Sequence, residues 1–125
     1  MEVARETPQA NVVRAWEPGR VRIGERWLEG SVIIAADRIM TEWAVDTVGE
    51  VDVASLEPAI SLQPEIIVLG TGEDIVLPDV ELMGALAARA IGLEIMTTAA
   101  ACRTFNVLVH EERRVVAALL NPPPR

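Results

Sequence analysis

The sequence predicts a single α/β domain, in which antiparallel N-terminal strands precede a C-terminal βαβαβ unit and the sheet is mixed. Residues 12–35 show a short, strand-like alternation broken by glycines, whereas residues 65–120 read as strand, helix, strand, helix, strand. The latter order is typical of parallel strands joined by right-handed crossovers. With 125 residues, 50% of them hydrophobic, the chain is long enough to bury one core.

The N-terminal part is predicted to be antiparallel. In RVRIG, Val21 and Ile23 alternate with arginines, which is the period of a half-buried strand. SVIIA at 31–35 predicts a more buried strand after a glycine turn. We expect this part to share one sheet with the C-terminal part, and we expect Trp27 and Trp43 to anchor its packing.

The middle of the chain predicts one helix and one central strand. The spacing of apolar residues indicates a helix over 53–62, and Pro64 closes that segment. EIIVLG at 65–70 is a continuous apolar run, which suits a strand buried on both faces.

A second helix is predicted over 78–92, with Asp79 as its N-cap and Gly92 in the left-handed position after its end. The apolar residues expected to face the core share helical spacing: Val80, Met83, Leu86 and Ala87. LEIM at 93–96 then predicts a strand. A helix capped by Thr97 or Thr98 and a strand in RVVAALL at 114–120 complete the unit.

Composition excludes several classes of function. The formal net charge is −8 and the 11 basic residues, all arginine, form no cluster, so no nucleic-acid partner is expected. One cysteine and one histidine supply neither a disulfide nor a zinc cage, and no metal or cofactor is predicted. MEVARETPQA lacks the apolar core of a signal peptide, and no apolar run reaches the roughly 20 residues of a membrane span. We therefore expect a cytoplasmic protein.

The loop after the predicted central strand is a candidate ligand site. GTGEDIVLP at 70–78 follows the carboxyl end of that strand, where α/β proteins often bind ligands. A dinucleotide site needs a third glycine and an immediate helix, which are both missing, and Glu73 and Asp74 would repel phosphate. An ordinary turn is the better interpretation.

Cys102 is the candidate nucleophile, because the first turns of a helix favour a thiolate. The only histidine, His110, lies on the same predicted helix, roughly 12 Å from Cys102 along its axis. A nucleophile and its base need hydrogen-bond reach, roughly 3 Å. No catalytic residue is therefore predicted. Cys102 is expected to pack as a small hydrophobe, with Arg103 and Asn106 at the surface.

Four blocks of the sequence resemble the Mth-domain family, which includes the mitochondrial complex I assembly factor 3, the adipogenesis-associated Mth-domain protein and many uncharacterised bacterial proteins. The blocks are EGSVII at 29–34, with Trp43 after it, PEIIVLGTG at 64–72, IGLEIMTTAAACRTFNVL at 91–108 and ERRVVAALL at 112–120.

The resemblance implies a three-layer α/β arrangement, which we expect over residues 11–120. Residues 1–10 are expected to be a flexible N-terminus and residues 121–125 a flexible Pro-rich tail, because a run of prolines neither extends a helix nor pairs well in a sheet. The resemblance implies no established enzymatic activity, since the family's best-understood member binds partner proteins during maturation of a membrane complex. Glu112 stands where relatives often have glycine, and Phe105 where they often have tyrosine.

Two hypotheses about function follow. The first is a non-catalytic protein-interaction domain of a bacterial protein, an assembly or accessory factor associated peripherally with a membrane complex, with homo-oligomerisation left open. The second is a small-molecule-binding protein or unrecognised enzyme, with its site between loops 70–74 and 96–103. In either case the candidate pocket or partner surface consists of Gly70, Thr71, Gly72, Met96, Thr97, Thr98, Cys102, Arg103 and Asn106.

Overall fold

The computed structural model describes residues 9–123, so most of the expected flexible N-terminus and the end of the proline-rich tail lie outside the described residues. Within that range the strands are β1 (Val13–Glu17), β2 (Arg20–Ile23), β3 (Arg26–Glu29), β4 (Val32–Ala35), β5 (Arg38–Met40), β6 (Ile66–Gly70), β7 (Gly92–Met96) and β8 (Val115–Leu119). The helices are a 3-10 helix (Val48–Glu50), α1 (Glu57–Ile60), α2 (Val80–Ala88) and α3 (Thr98–His110).

The strands form two sheets. The central sheet has five strands in the order β5-β4-β8-β6-β7, with β6 parallel to both β7 and β8, and β4 antiparallel to β8. This arrangement confirms the mixed sheet and the βαβαβ unit. Strands β1, β2 and β3 form a separate antiparallel sheet.

The expectation that all strands share one sheet is therefore wrong for the first three. Each of β1 to β3 is four or five residues long, and β3 pairs with β2 and not with β4. After β3 the chain leaves the small sheet at Gly30, whose φ is 76°. The break lies at this left-handed turn, which an alternation of apolar residues does not reveal.

The central sheet separates two hydrophobic clusters, because successive side chains of a strand point to opposite faces. In β6, Ile67 and Leu69 face the cluster under α1 and α2, while Ile66 and Val68 face the cluster under α3 and the small sheet. Strands β4 and β8 divide their side chains in the same way. The domain therefore has the expected three layers, and the central strands are buried on both faces.

The structure corrects the predicted inner face of α2. Leu82 and Leu86 are buried, whereas Val80 is 77% exposed and Met83 is 40% exposed. Ala87 is also exposed. Apolar residues recur on more than one face of this helix, so spacing alone did not identify the face that packs on the sheet.

Both ends of α2 are capped. Asp79 is the N-cap, as predicted, and its carboxylate accepts a hydrogen bond from the Glu81 N–H at 3.0 Å. At the other end the prediction for Gly92 is wrong, because Ala90 has the positive φ of 58° and Gly92 begins β7. The Ala90 and Ile91 N–H groups bond the Ala87 and Leu86 carbonyls, which is a Schellman motif.

The helix predicted over 53–62 is shorter in the structure, where α1 spans only Glu57–Ile60. Asp52 and Ser55 exchange hydrogen bonds between side chain and backbone at 2.7 and 2.9 Å, which holds a turn before the helix begins. Trp43 is buried as expected, and its indole N–H donates to the Ser55 carbonyl at 2.8 Å. Trp27 is not a core anchor, because it is 37% exposed.

Candidate functional site

The loops after β6 and β7 are hydrogen-bonded directly to each other. The Thr71 N–H donates to the Met96 carbonyl at 2.9 Å, and the Thr98 N–H donates to the Gly72 carbonyl at 2.9 Å. Thr97 is the N-cap of α3, and its hydroxyl accepts from the Ala100 N–H at 3.2 Å. These backbone groups of Thr71, Gly72, Met96 and Thr98 bond across the two loops and are therefore not free to bind a ligand between them.

Thr98 ties three segments together. Its side chain is fully buried, donates to the Leu120 carbonyl at 2.7 Å and accepts from the Gly72 N–H at 2.8 Å. The hydroxyl therefore joins the start of α3 to the ends of β6 and β8. Its donor and one acceptor position are both used within the fold.

Gly70 brings the end of β6 against the first turn of α3. A Cβ at this position would lie 2.8 Å from the Thr98 Cα, 3.0 Å from its Oγ1 and 3.1 Å from the Ala101 Cβ. Only glycine fits this approach without displacing α3. The structure therefore places Gly70, Thr71 and Thr98 next to one another, and they meet in close packing.

Cys102 is 4% exposed and belongs to the cluster between α3 and the central sheet. Burial raises the pKa of its thiol to about 12, and the nearby charge of Arg103 opposes that shift only partly. The thiol is therefore protonated at neutral pH, which disfavours nucleophilic attack. Phe105 is fully buried in the same cluster, while His110 is exposed at the end of α3.

Arg103 and Asn106, both expected at the surface, differ in their surroundings. Arg103 is exposed. Asn106 is half-buried, and its side-chain amide accepts from the Val13 N–H at 2.8 Å and donates to the Val13 carbonyl at 2.9 Å. The surface expectation for Asn106 is wrong, because β1 uses both polar atoms of its side chain.

Two shallow depressions flank Trp16, a residue that the sequence did not single out. One, of about 250 Å³, is lined by Val13, Arg14, Ala15, Trp16, Ala99, Cys102, Arg103 and Asn106. The other, of about 520 Å³, is lined by Trp16, Pro18, Gly72, Glu73, Asn121, Pro122 and Pro123. Of the predicted site residues, Cys102, Arg103 and Asn106 line the first depression and Gly72 lines the second, while the other five line neither of them.

Asn121, which the sequence placed in the flexible tail, is 3% exposed. Its side chain accepts from the Gly19 N–H at 3.0 Å, and its own N–H donates to the Ser31 hydroxyl at 3.0 Å. The ordered structure therefore extends through Asn121, which fastens the small sheet to the end of β8.

Acidic residues do not assemble a metal centre in the part of the chain that the structure describes. Among residues 9–123, no group of three or more His, Cys, Asp or Glu side chains is placed to hold a metal ion. Over the same residues, no helix has the length and apolar character needed to cross a bilayer.

An exposed apolar surface precedes and continues along α2, and we call it the apolar ridge. Its members are large hydrophobic residues that are 40–77% exposed: Ile75, Val76, Leu77, Val80 and Met83. Helical spacing did not reveal this surface, because it predicted Val80 and Met83 to face the core. The available signal was the run IVLP, which is apolar yet lies in a loop between glycine and a helix cap.

Comparisons with known proteins extend over nearly the whole chain. Residues 13–120 match the sequence profile of the family described as protein of unknown function (DUF498/DUF598). The zebrafish protein named NADH dehydrogenase (ubiquinone) 1 alpha subcomplex assembly factor 3 is 31% identical over 121 residues, which are 95% of this chain and 69% of that protein.

Solved structures share the fold. An NMR structure of a Xanthomonas campestris protein has a TM-score of 0.85 and 34% sequence identity, covering 100% of this chain and 96% of its own. The NMR structure of a Bordetella pertussis protein, described as a Mth938-like domain, has a TM-score of 0.80 and 26% identity, covering 98% and 94%. These matches confirm the resemblance drawn from the sequence.

Proposed function

Because this chain belongs to the family of proteins of unknown function DUF498/DUF598, we propose that it is a non-catalytic protein-interaction domain that assists the assembly of a membrane complex. The observation that carries this proposal is the similarity to an assembly factor for NADH dehydrogenase, which covers 95% of this chain. Similarity of this extent includes both hydrophobic clusters and the loops at the ends of the parallel strands. A partner-binding role would use the outer surface of such a domain.

The state of the only cysteine supports a non-catalytic role over the alternative of an unrecognised enzyme. The Cys102 thiol is buried with a pKa raised to about 12, and the only histidine is exposed at the far end of the same helix. The second alternative, a small-molecule site between loops 70–74 and 96–103, is disfavoured by the backbone hydrogen bonds that join Thr71 to Met96 and Thr98 to Gly72.

The proposal implies peripheral association, in which the domain meets protein subunits of the complex. Its exposed apolar residues are concentrated before and along α2, and surfaces of this kind mark interaction sites. The proposal does not require a membrane-spanning segment in this domain, since contact with exposed parts of the subunits is sufficient.

Deletion of the gene in the source organism tests the proposal. We expect the fully assembled NADH dehydrogenase to decrease on native gels of the membrane fraction, with smaller subassemblies accumulating. A plasmid copy should restore assembly, and a Cys102→Ala copy should restore it equally because the buried thiol has no proposed chemical role. Normal assembly in the deletion strain would refute the proposal. Restoration by wild type but not by Cys102→Ala, with equal protein levels, would favour thiol chemistry.

A further inference from the structure

The apolar ridge is a structured surface. The Thr71 hydroxyl donates to the Asp74 carbonyl at 2.6 Å and accepts from the Val76 N–H at 3.1 Å, which closes the loop on itself just before the ridge. Pro78 is buried and Asp79 caps α2. Ile75 and Leu77, 62% and 70% exposed, are therefore presented to solvent by a loop whose backbone is held in place.

The ridge continues along one side of α2. Val80, Met83, Gly84 and Ala87 have the three- and four-residue spacing of a single helix face, and all four are exposed. A Cβ built on Gly84 would meet no atom within 4 Å. Val80 and Met83 at the start of this face have large side chains, whereas Gly84 and Ala87 have little or none. A second helix can therefore approach the backbone of α2 closely near Gly84 and Ala87.

Carboxylates flank and interrupt the ridge in the sequence, and the first basic residue after it is Arg89, the C-cap of α2. Glu73, Asp74, Asp79 and Glu81 are exposed, and residues 73–88 contain no basic side chain. An apolar strip bordered by one sign of charge attracts a partner of the opposite sign. The same charges repel an anionic lipid surface, and a symmetric pairing of two copies would bring the carboxylates of both against each other.

We infer that the apolar ridge and the exposed face of α2 dock an amphipathic helix of a partner protein, with its apolar side on the ridge and Lys or Arg residues along its borders. An amphipathic helix binds in this way by laying its apolar face on an exposed hydrophobic surface, with charge complementarity setting the choice of partner. The inference rests on the proposed function for the existence of a protein partner, and it adds where that partner binds and what chemistry it carries.

A synthetic helical peptide tests this chemistry directly. The probe has about 18 residues, or about five helical turns, with leucines on one side and arginines on both borders. A matched peptide carries glutamate in place of each arginine. We expect the basic peptide to bind, to shift NMR signals of the ridge and α2, and to bind more weakly as salt rises from about 0.05 to about 0.5 M. Absence of binding, equal binding of the acidic peptide, or shifts confined to another surface would overturn the inference.

Matched variants separate the apolar and charged parts of the surface. Leu77→Ser combined with Val80→Ser should weaken the basic peptide about tenfold, since two exposed contacts are lost. Val107→Ser is the control, because Val107 is 56% exposed on α3 in the other layer. Glu81→Lys should also weaken binding, whereas Glu111→Lys, at the end of α3, should not. Equal losses in a variant and its control would overturn the inference.

Two further readouts distinguish failure of this inference from failure of the proposed function. If the gene is needed for complex assembly but the Leu77→Ser, Val80→Ser variant restores assembly fully, the proposed function stands and the docking surface is wrong. If deletion leaves assembly normal, the proposed function fails whatever the peptide does. A stable dimer that the same double variant dissociates would show that a second copy occupies the ridge, which also overturns the inference.

Discussion

The side chain of Asn106 in α3 forms two hydrogen bonds with the backbone of Val13 in β1, at 2.8 and 2.9 Å, across a separation of 93 residues. The pairing of β1 with β2 shifts register between Val13 and Ala15. Arg14 is the residue without a partner in this register, while Val13 lies opposite Ile23. The amide of Asn106 bonds both backbone polar groups of Val13, and it thereby attaches the small sheet to α3.

Asn106→Ala should destabilise the fold, because the Val13 N–H and carbonyl lose their hydrogen-bond partners at a position that is partly shielded from water. Two net hydrogen bonds correspond to a loss of about 2 kcal/mol in the free energy of unfolding. Urea denaturation measures this change, and Arg103→Ala, an exposed neighbour on the same helix, should change stability by less than about 0.5 kcal/mol. Equal effects of the two variants would show that the hydrogen bonds to Val13 contribute little.

Gly70→Ala should also destabilise, by about 1–3 kcal/mol, because the added methyl group overlaps the backbone of Thr98. Gly84→Ala is the matched control, because its Cβ meets nothing within 4 Å and alanine is the better helix former. We expect the control to raise the free energy of unfolding by about 0.5–1 kcal/mol. Thermal and urea unfolding of both variants check the pair, and a neutral Gly70→Ala would mean that α3 moves at little cost.

Glu112→Gly should stabilise the protein, since Glu112 has a φ of 60° directly after α3. The Glu112 and Arg113 N–H groups bond the Val109 and Leu108 carbonyls in a Schellman motif, whose left-handed residue is most often glycine. We expect a gain of about 1 kcal/mol, from removal of the left-handed strain. Glu111→Gly, at a φ of −82°, should destabilise instead. A loss of stability in Glu112→Gly would contradict this account of the helix end.

The Cys102 thiol should react slowly with an alkylating reagent in the native protein at pH 8 and rapidly in urea. Burial holds its pKa at about 12, above the ordinary value of 9.0, so the folded state keeps the proton while the unfolded state releases it. Stability from this group is therefore fully present below pH 9 and is lost as the pH rises from about 9 to about 12.

Comparison with Cys102→Ala assigns the pH dependence to the thiol, and the sequence has no tyrosine or lysine to add a further side-chain titration in the alkaline range. Urea unfolding at pH 7 and pH 10 should show lower stability at pH 10 for the wild type, and a smaller difference for Cys102→Ala. An equal pH dependence in both proteins, or fast alkylation of the native protein, would contradict a buried thiol.

The shape of the candidate site was only partly predictable. Loops 70–72 and 96–98 were expected to meet because the carboxyl ends of adjacent parallel strands lie at one edge of a sheet. Sequence spacing does not report the 2.8 Å approach of a Gly70 Cβ to Thr98, which determines that the loops pack against each other. Local spacing did not place Trp16 and Asn121 at one depression, since the residues that line it come from distant parts of the chain.

The sequence by itself determined the class of fold, the parallel strand–helix order after residue 65, the cap Asp79, a threonine cap at 97 or 98, and the separation of Cys102 from the only histidine along one helix. These features depend on local spacing, side-chain chemistry and chain geometry. Only the tertiary structure decided that β1 to β3 form their own sheet, that the Asn106 side chain hydrogen-bonds the backbone of β1, and that Val80 and Met83 face outward. The physical reason is that helical spacing identifies a face but burial depends on what packs against it, and that partner is set by the whole chain.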